Sequence, residues 1–339
     1  MTAAGKAVIL LLVFLFISPL QASLGETVTF CAAGDVLLDR GCRMVTRING
    51  FDYLFEPVRN FIQSYDLAFC NLEGPLSSRK KPSNEKMRFC ADSSYVEVLK
   101  RSGFDIFCMA NNHMLDYGRR ALMETQSILE TNGLIGVGAG KNKTEAVTAR
   151  IIKIKGNTFA FLAFAAVPDF GTLLTENLPC PAIADSATVA DEVKKCRSHA
   201  DFVIVSFHWG VEYSRRPTTE QIQLAHLCID CGADLVIGHH PHVIQSIEKY
   251  KGKFILYSLG NFAFDQHKPE QREAIIFSCA FRDRKVESPR IYPVIIHDRM
   301  YRPELAGCKD LIRITDRIKT MSREFSTGFR DGDTEVFLE

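Results

Sequence analysis

The sequence predicts an α/β domain, and three observations carry that reading. Short, almost continuously apolar runs alternate with amphipathic stretches along most of the chain, the pattern of buried strands covered by helices. Each helix-like stretch leads through a short break containing Asp into the next strand. The strands then end in polar side chains, and in an open α/β sheet ligands bind at the carboxyl ends of strands. The clearest case is D-L-V-I-G-H-H-P-H over residues 234–242. There Leu235-Val236-Ile237 reads as a buried strand closed by Gly238, and His239, His240 and His242 crowd in behind it.

Composition bounds the rest. A chain of 339 residues can bury a large core and hold one big domain or two modest ones. Hydrophobic residues at 46% and charged residues at 24% are ordinary for a globular protein. The net charge of +1 gives no electrostatic case for nucleic acid. The sequence contains no fixed-period repeat and no Walker-type or dinucleotide-type glycine motif. Lys6, an apolar run over 7–17 and then Ser18-Pro19-Leu20-Gln21-Ala22-Ser23 have the order of a secretory signal. The run is shorter than the roughly 20 residues that span a bilayer. The expectation is a signal over 1–24 and an exported chain, periplasmic or extracellular, with an uncleaved membrane anchor as the alternative. Eleven cysteines are scattered, and Cys228 with Cys231 form a lone C-x-x-C that reads as a local disulfide or as two buried thiols.

Element by element, strands are predicted over 27–33, 66–70, 106–110, 151–154, 158–164, 201–207, 235–237 and 254–258. Helices are predicted over 55–65, 94–102, 119–132, 188–199 and 218–231, the last capped by Thr218 or Thr219. Gly156-Asn157 signals a hairpin. Residues 167–187 hold three prolines and little periodicity, and read as a long loop over the site. Beyond Glu270 the stretches 274–281 and 291–296 read as antiparallel strands finishing a sheet. One domain over 25–300 is expected, followed by a polar tail over 301–339 with one helix near 311–321.

At the strand ends stand Asp35, Glu73, Asn112 with His113, His208, and His239, His240 and His242, which include five of the nine histidines. Carboxylates, a carboxamide and imidazoles supply the oxygen and nitrogen ligands that suit Mn, Fe, Zn or Mg. A bridging carboxylate with several imidazoles can hold two cations about 3.5–4 Å apart. Each residue also has an ordinary reading: Asp35 as a turn residue, Glu73 as a loop cap, Asn112 in a left-handed turn, His208 as a buried histidine. Unrelated turns need not place metal-type ligands on one rim, so the set favours the metal reading.

The series G-D-V-L-L-D-R-G, N-L-E-G-P-L, N-N-H-M-L-D-Y-G, H-W-G-V-E-Y, G-H-H-P-H-V-I-Q and S-L-G-N-F resembles the bacterial capsule synthesis family CapA, the poly-γ-glutamate capsule biosynthesis domain. That family is related to the calcineurin-like metallophosphoesterases. The resemblance implies a four-layer sandwich, two mixed sheets flanked by helices, with a site for two divalent metal ions at the strand ends. It implies Asp35, Glu73, Asn112, His208, His240 and His242 as metal ligands, with Glu73 as the bridge. His113 would contact substrate and protonate a leaving oxygen, oriented by Asp116 three residues on. His239, the spare histidine, would either stand behind the ligands or contact substrate; Arg40, Glu212 and Asn261 are candidates for substrate contact, and Arg215 and Arg216 for binding a phosphate or carboxylate.

Two departures from the phosphoesterase pattern stand out. Leu37 occupies the place of a histidine, and Asn71-Leu72-Glu73 replaces a second aspartate motif. The expected activity is metal-dependent hydrolysis of a phosphoester, amide or ester. The substrate would be an anionic polymer or a phosphorylated small molecule, handled beside membrane-bound capsule synthesis or export proteins. The alternative is a non-catalytic component that binds an anionic chain in the same cleft.

Overall fold

The computed structural model describes residues 25–78, 88–167 and 174–339; the apolar segment read as a secretory signal lies outside them. The chain begins β1 (Val28–Val36), α1 (Arg40–Asn49), α2 (Arg59–Ile62), β2 (Leu67–Leu72), α3 (Tyr95–Arg101), β3 (Ile106–Cys108), α4 (Gly118–Thr131), β4 (Ile135–Val137). It continues β5 (Ala139–Gly140), α5 (Lys143–Val147), β6 (Arg150–Ile154), β7 (Asn157–Ala165), β8 (Cys180–Pro181), α6 (Ser186–Arg197), β9 (Phe202–His208), α7 (Thr219–Cys231), β10 (Leu235–His239). The last third adds β11 (Ile247–Tyr250), β12 (Lys253–Leu256), β13 (Asn261–Ala263), β14 (Glu273–Arg282), β15 (Lys285–Ile296), β16 (Pro303–Leu305), α8 (Cys308–Ser322), β17 (Phe329–Asp331) and β18 (Val336–Leu338).

Two mixed sheets result. The first runs β17-β18-β15-β14-β1-β2-β3-β4, with β13 beside the end of β1 and β16 beside β15. The second runs β11-β12-β10-β9-β7-β6. Parallel pairing holds from β1 to β4, and among β7, β9, β10 and β12. Strand alternation explains the stacking. Along β7, Phe159, Phe161 and Ala163 enter the core shared with β1 and β2, while Ala160, Leu162 and Phe164 pack under α6 and α7. The Phe161 ring lies 6.1 Å from that of Phe30 and 6.4 Å from that of Phe69, so the sheets meet face to face. The expected α/β architecture, mixed sheets flanked by helices, is what the chain adopts.

The recurring Asp before each strand has a structural reason. Asp66 accepts from the backbone N–H of Thr29, Asp105 from Ala68, Asp201 from Thr158 and Asp234 from Val203, at 2.8–2.9 Å. Each carboxylate therefore takes the N–H at the start of the neighbouring strand and pins the register. At the other end of the strands, glycines permit close approach. A Cβ on Gly34 would stand 1.9 Å from the Gly260 carbonyl oxygen, and one on Gly238 2.0 Å from that of Tyr257. Helix α7 starts at a full capping box of Thr218 and Gln221, as the sequence indicated for Thr218, and stops at left-handed Gly232. Cys228 and Cys231 both lie within it as free thiols, so the local disulfide is not formed.

The reading of 301–339 as a tail is corrected. Strands β16 and β18 both pair with β15, and Ile314, Ile318, Val336 and Leu338 are buried in the main core. Ser246 and Ile247 of the second sheet bond to Met321 and Ser322 at the end of α8. The apolar residues of this segment are few, but those of α8 fall on one face at i, i+4 spacing, which suffices to seat it. The sequence reading also missed α1, an arginine-rich helix capped by Asp39, which accepts from the Arg40 N–H at 2.7 Å. The loop expected over 167–187 is described from residue 174 onward. There it is tied down by the β5–β8 ladder and by the Ala184 N–H to the Ala165 carbonyl; 168–173 lie outside the described residues.

Candidate metal centre

Register places the site. Asp35 ends β1 opposite Asn71 on one side and Asn261 on the other, while His208 ends β9 opposite His239 of β10. The sheet interface therefore brings Asp35, Glu73, His208, His240 and His242 into one buried cluster, although they are far apart in sequence. His242 Nδ1 lies 3.4 Å from Asp35 Oδ2, and its Nε2 lies 3.4 Å from Glu73 Oε1. His208 Nε2 is 2.8 Å from the Asn112 Oδ1 and 3.0 Å from His240 Nδ1. All six predicted ligands thus converge. Asn71 joins them: its Nδ2 donates to Asp35 Oδ1 at 2.8 Å, and Asn111 donates in turn to Asn71 Oδ1 at 3.1 Å.

Two of the candidate ligands sit on unusual backbone. His240 (φ +96°) and His242 (φ +56°) occupy the left-handed half of the map, which side chains with a Cβ rarely adopt. The surroundings hold them there: Asn261 lies 2.9 Å from His242 Nδ1 through its Oδ1 and donates to the His242 carbonyl and to Gln271. Such positions cost of order 1–3 kcal/mol each and concentrate at functional sites.

Charge in the cluster is divided unevenly. Burial alone would raise Asp35, yet His239 and His242 hold its carboxyl well below the usual range. Burial pushes Glu73 well above that range, against the pull of His242 and with the Asp35 charge adding to the rise. Burial keeps His208 far below its ordinary value and His240 down to about 3, so both offer neutral lone pairs. Burial would lower His242 as well, but Glu73 and Asp35 push it up to about 10. His242 thus stands between the two buried carboxyl groups, 3.4 Å from each. Glu73 Oε1 is buried without a hydrogen-bond donor among the described residues. A carboxylate oxygen with no donor, neutral imidazoles and an amide oxygen fit a divalent cation.

The two residues expected to act in catalysis, His113 and Asp116, are adjacent. Asp116 faces His113 Nδ1 at 2.8 Å and accepts from the Phe89 N–H and from Arg88, each also at 2.8 Å. His113 Nε2 is left pointing toward Glu73 Oε1, 3.9 Å away. Arg88 and Phe89 were not foreseen, because the stretch that brings them has no periodicity to read.

Four substrate candidates separate into two groups. His239 and Asn261 are wholly buried, so substrate contact is corrected for both: His239 stands behind Asp35, 3.4 Å from its Oδ1, the other of its two expected places, and Asn261 lies under His242. Arg40 and Glu212 are exposed at the rim. Arg40 pairs with Asp265 at 3.0 Å and lies over the Phe89 ring. Glu212 stands beside His240 and His242, and together these three form one potential ion-binding group while Asp35, Glu73 and His208 form another. Arg215 and Arg216 are exposed on the same loop.

The family model "Bacterial capsule synthesis protein PGA_cap" matches residues 29–266, the span that carries every one of these side chains. The chain belongs to this family. It is 31% identical over 309 residues to the PGA biosynthesis protein CapA of Bacillus subtilis (strain 168), covering 90% of this chain and 80% of that one. It is 30% identical over 295 residues to the capsule biosynthesis protein CapA of Bacillus anthracis, covering 85% and 72%. A hypothetical protein from Thermus thermophilus shares the fold at a TM-score of 0.51 and 17% identity, over 78% of this chain and 98% of that one.

Proposed function

We propose that this PGA_cap protein is an exported, metal-dependent hydrolase acting in the biosynthesis of a capsule or poly-γ-glutamate-like envelope polymer. The carrying observation is the convergence of Asp35, Glu73, Asn112, His208, His240 and His242, with Glu73 Oε1 buried and lacking a donor among the described residues. These six would hold divalent cations, Mn, Fe, Zn or Mg. A bound cation would neutralise the paired carboxylates and lower the pKa of a water toward about 7. The chain's own groups supply the rest. His113, oriented through Nδ1 by Asp116, presents Nε2 to the cleft and delivers a proton to the leaving oxygen. Phe89, 4.1 Å from the His113 ring, excludes water from that side. The names of the Bacillus relatives support the polymer, and the metallophosphoesterase resemblance supports the reaction class.

The test is metal content and turnover together. Asp35→Ala and His240→Ala are expected to lose stoichiometric Mn or Zn by elemental analysis, and to lose hydrolysis of aryl phosphates or shortening of poly-γ-glutamate. Unchanged metal in both purified variants sinks the reading. The non-catalytic reading keeps one observation in its favour: Leu37, in place of an imidazole, is packed with Phe89 and Phe264. Retained binding of polyglutamate by a metal-loaded protein with no turnover on any substrate class would select it. Export is tested by fractionation of cells producing the full chain.

A further inference from the structure

The resemblance leaves one ligand position unfilled. Two residues after Asp35, where the phosphoesterases carry an imidazole, stands Leu37, buried against Phe89 and Phe264. The Phe264 ring lies 4.9 Å from that of His242, so this side of the imidazole is closed by carbon. Glu73 Oε1 nonetheless remains without a hydrogen-bond donor among the described residues, although its side chain is fully buried.

Glu212 approaches from the loop after β9. Its carboxylate and the ring nitrogens of His240 and His242 lie within 4.8 Å of one another. The loop is stitched to the histidine-bearing loop and does not merely pass it. The Trp209 N–H donates to the His239 carbonyl at 3.1 Å and the Tyr213 N–H to that of Pro241 at 2.7 Å. Gln245 reaches back to the carbonyls of Ser214 and Arg216 at 2.8 and 3.2 Å, and is itself held by Gln221 at 2.9 Å. Gly210 turns at φ +85° between these ties.

We infer that Glu212 is a metal ligand, the carboxylate that, with His240 and His242, replaces the imidazole missing at Leu37. A carboxylate in place of an imidazole makes that position harder, favouring Mn or Mg over Zn there. The inference rests on the metal reading above, and the experiment separates the two. Mn2+ is titrated into the full chain, with binding followed calorimetrically and by the electron paramagnetic resonance of free Mn2+. The proteins are wild type, Glu212→Gln, Glu212→Asp and Asp35→Ala. Glu212 is exposed, so Glu212→Gln should melt like wild type without metal. It is expected to weaken one Mn2+ step by at least the roughly 10–100-fold that losing even an outer hydrogen-bond partner costs, with Glu212→Asp restoring part of it. If Glu212→Gln titrates as wild type while Asp35→Ala loses Mn2+, the assignment of Glu212 falls and the metal centre stands. If wild type takes up neither Mn2+ nor Zn2+, the metal reading falls and this inference with it.

Discussion

At the scale of single residues, Asp116 joins two demands that a substitution can pull apart. It neutralises Arg88, whose side chain is 8% exposed, and it orients His113. Asp116→Ala strands a buried guanidinium, which costs about 3–5 kcal/mol, and denaturant unfolding should show that loss. Asp116→Asn can still accept from the Phe89 N–H but no longer supports a charged His113. If His113 is the acid, this variant loses about 10²–10⁴-fold in turnover on esters with poor leaving groups. Activated aryl esters, which need no proton on departure, should be largely spared. Equal losses on both would assign Asp116 to folding alone. The sequence made His113 and Asp116 legible by their spacing of three. Arg88 was not legible, because its role comes from a contact between segments with no shared pattern. The same holds for Asn111: amides at strand ends are common, and only the sheet register reveals that it braces Asn71, which in turn donates to Asp35.

At the scale of elements, the most legible feature was the unit of helix, Asp and strand, because its physics is local. Four aspartates each fix a neighbouring strand, but their company differs. Asp66 is partnered by Lys155, Asp201 by Arg284, and Asp234 by Arg197 and Lys253. Asp105 has no ion pair among the described residues, and burial pushes its carboxyl up to about 6 despite the Ala68 N–H. A raised native value means the folded state binds more protons than the unfolded one between about pH 4 and 6. Stability from this group is therefore present below about pH 4 and lost as pH rises through 6. Asp105→Asn keeps an acceptor for Ala68 and removes the charge. It is expected to gain on the order of 1–2 kcal/mol at pH 7, and to flatten the pH 4–6 limb of a melting-temperature profile. An unchanged profile would show that water reaches the carboxylate. Helix α1 was illegible for the converse reason. Only Cys42, Val45 and Thr46 face inward while its arginines face solvent, too little apolar pattern to announce a helix.

At the scale of the molecule, sheet order was the part the sequence could not disclose. Strand β14 lies against β1 across most of the chain, and β18 returns beside β15 after a helix that touches both sheets. Such pairings are chosen by complementary apolar faces and not by any local signal, which is why 301–339 reads as a tail and behaves as part of the core. A chain ending at residue 300 tests the point. It loses Ile314, Ile318, Val336 and Leu338 from the interior. At about 1.5–3 kcal/mol for each buried side chain, the loss is about 6–12 kcal/mol, comparable to the whole stability of a typical domain. It also removes Arg313 and Arg317, the partners of Glu273, which is 3% exposed and sits in the strand whose carbonyl crowds Gly260. That places the damage one residue from Asn261 and hence from His242. The truncated protein is expected to lose near-ultraviolet dichroism and to aggregate on gel filtration. A monomer with a cooperative melt and wild-type Mn2+ uptake would instead make the segment an appendage of a site that folds without it.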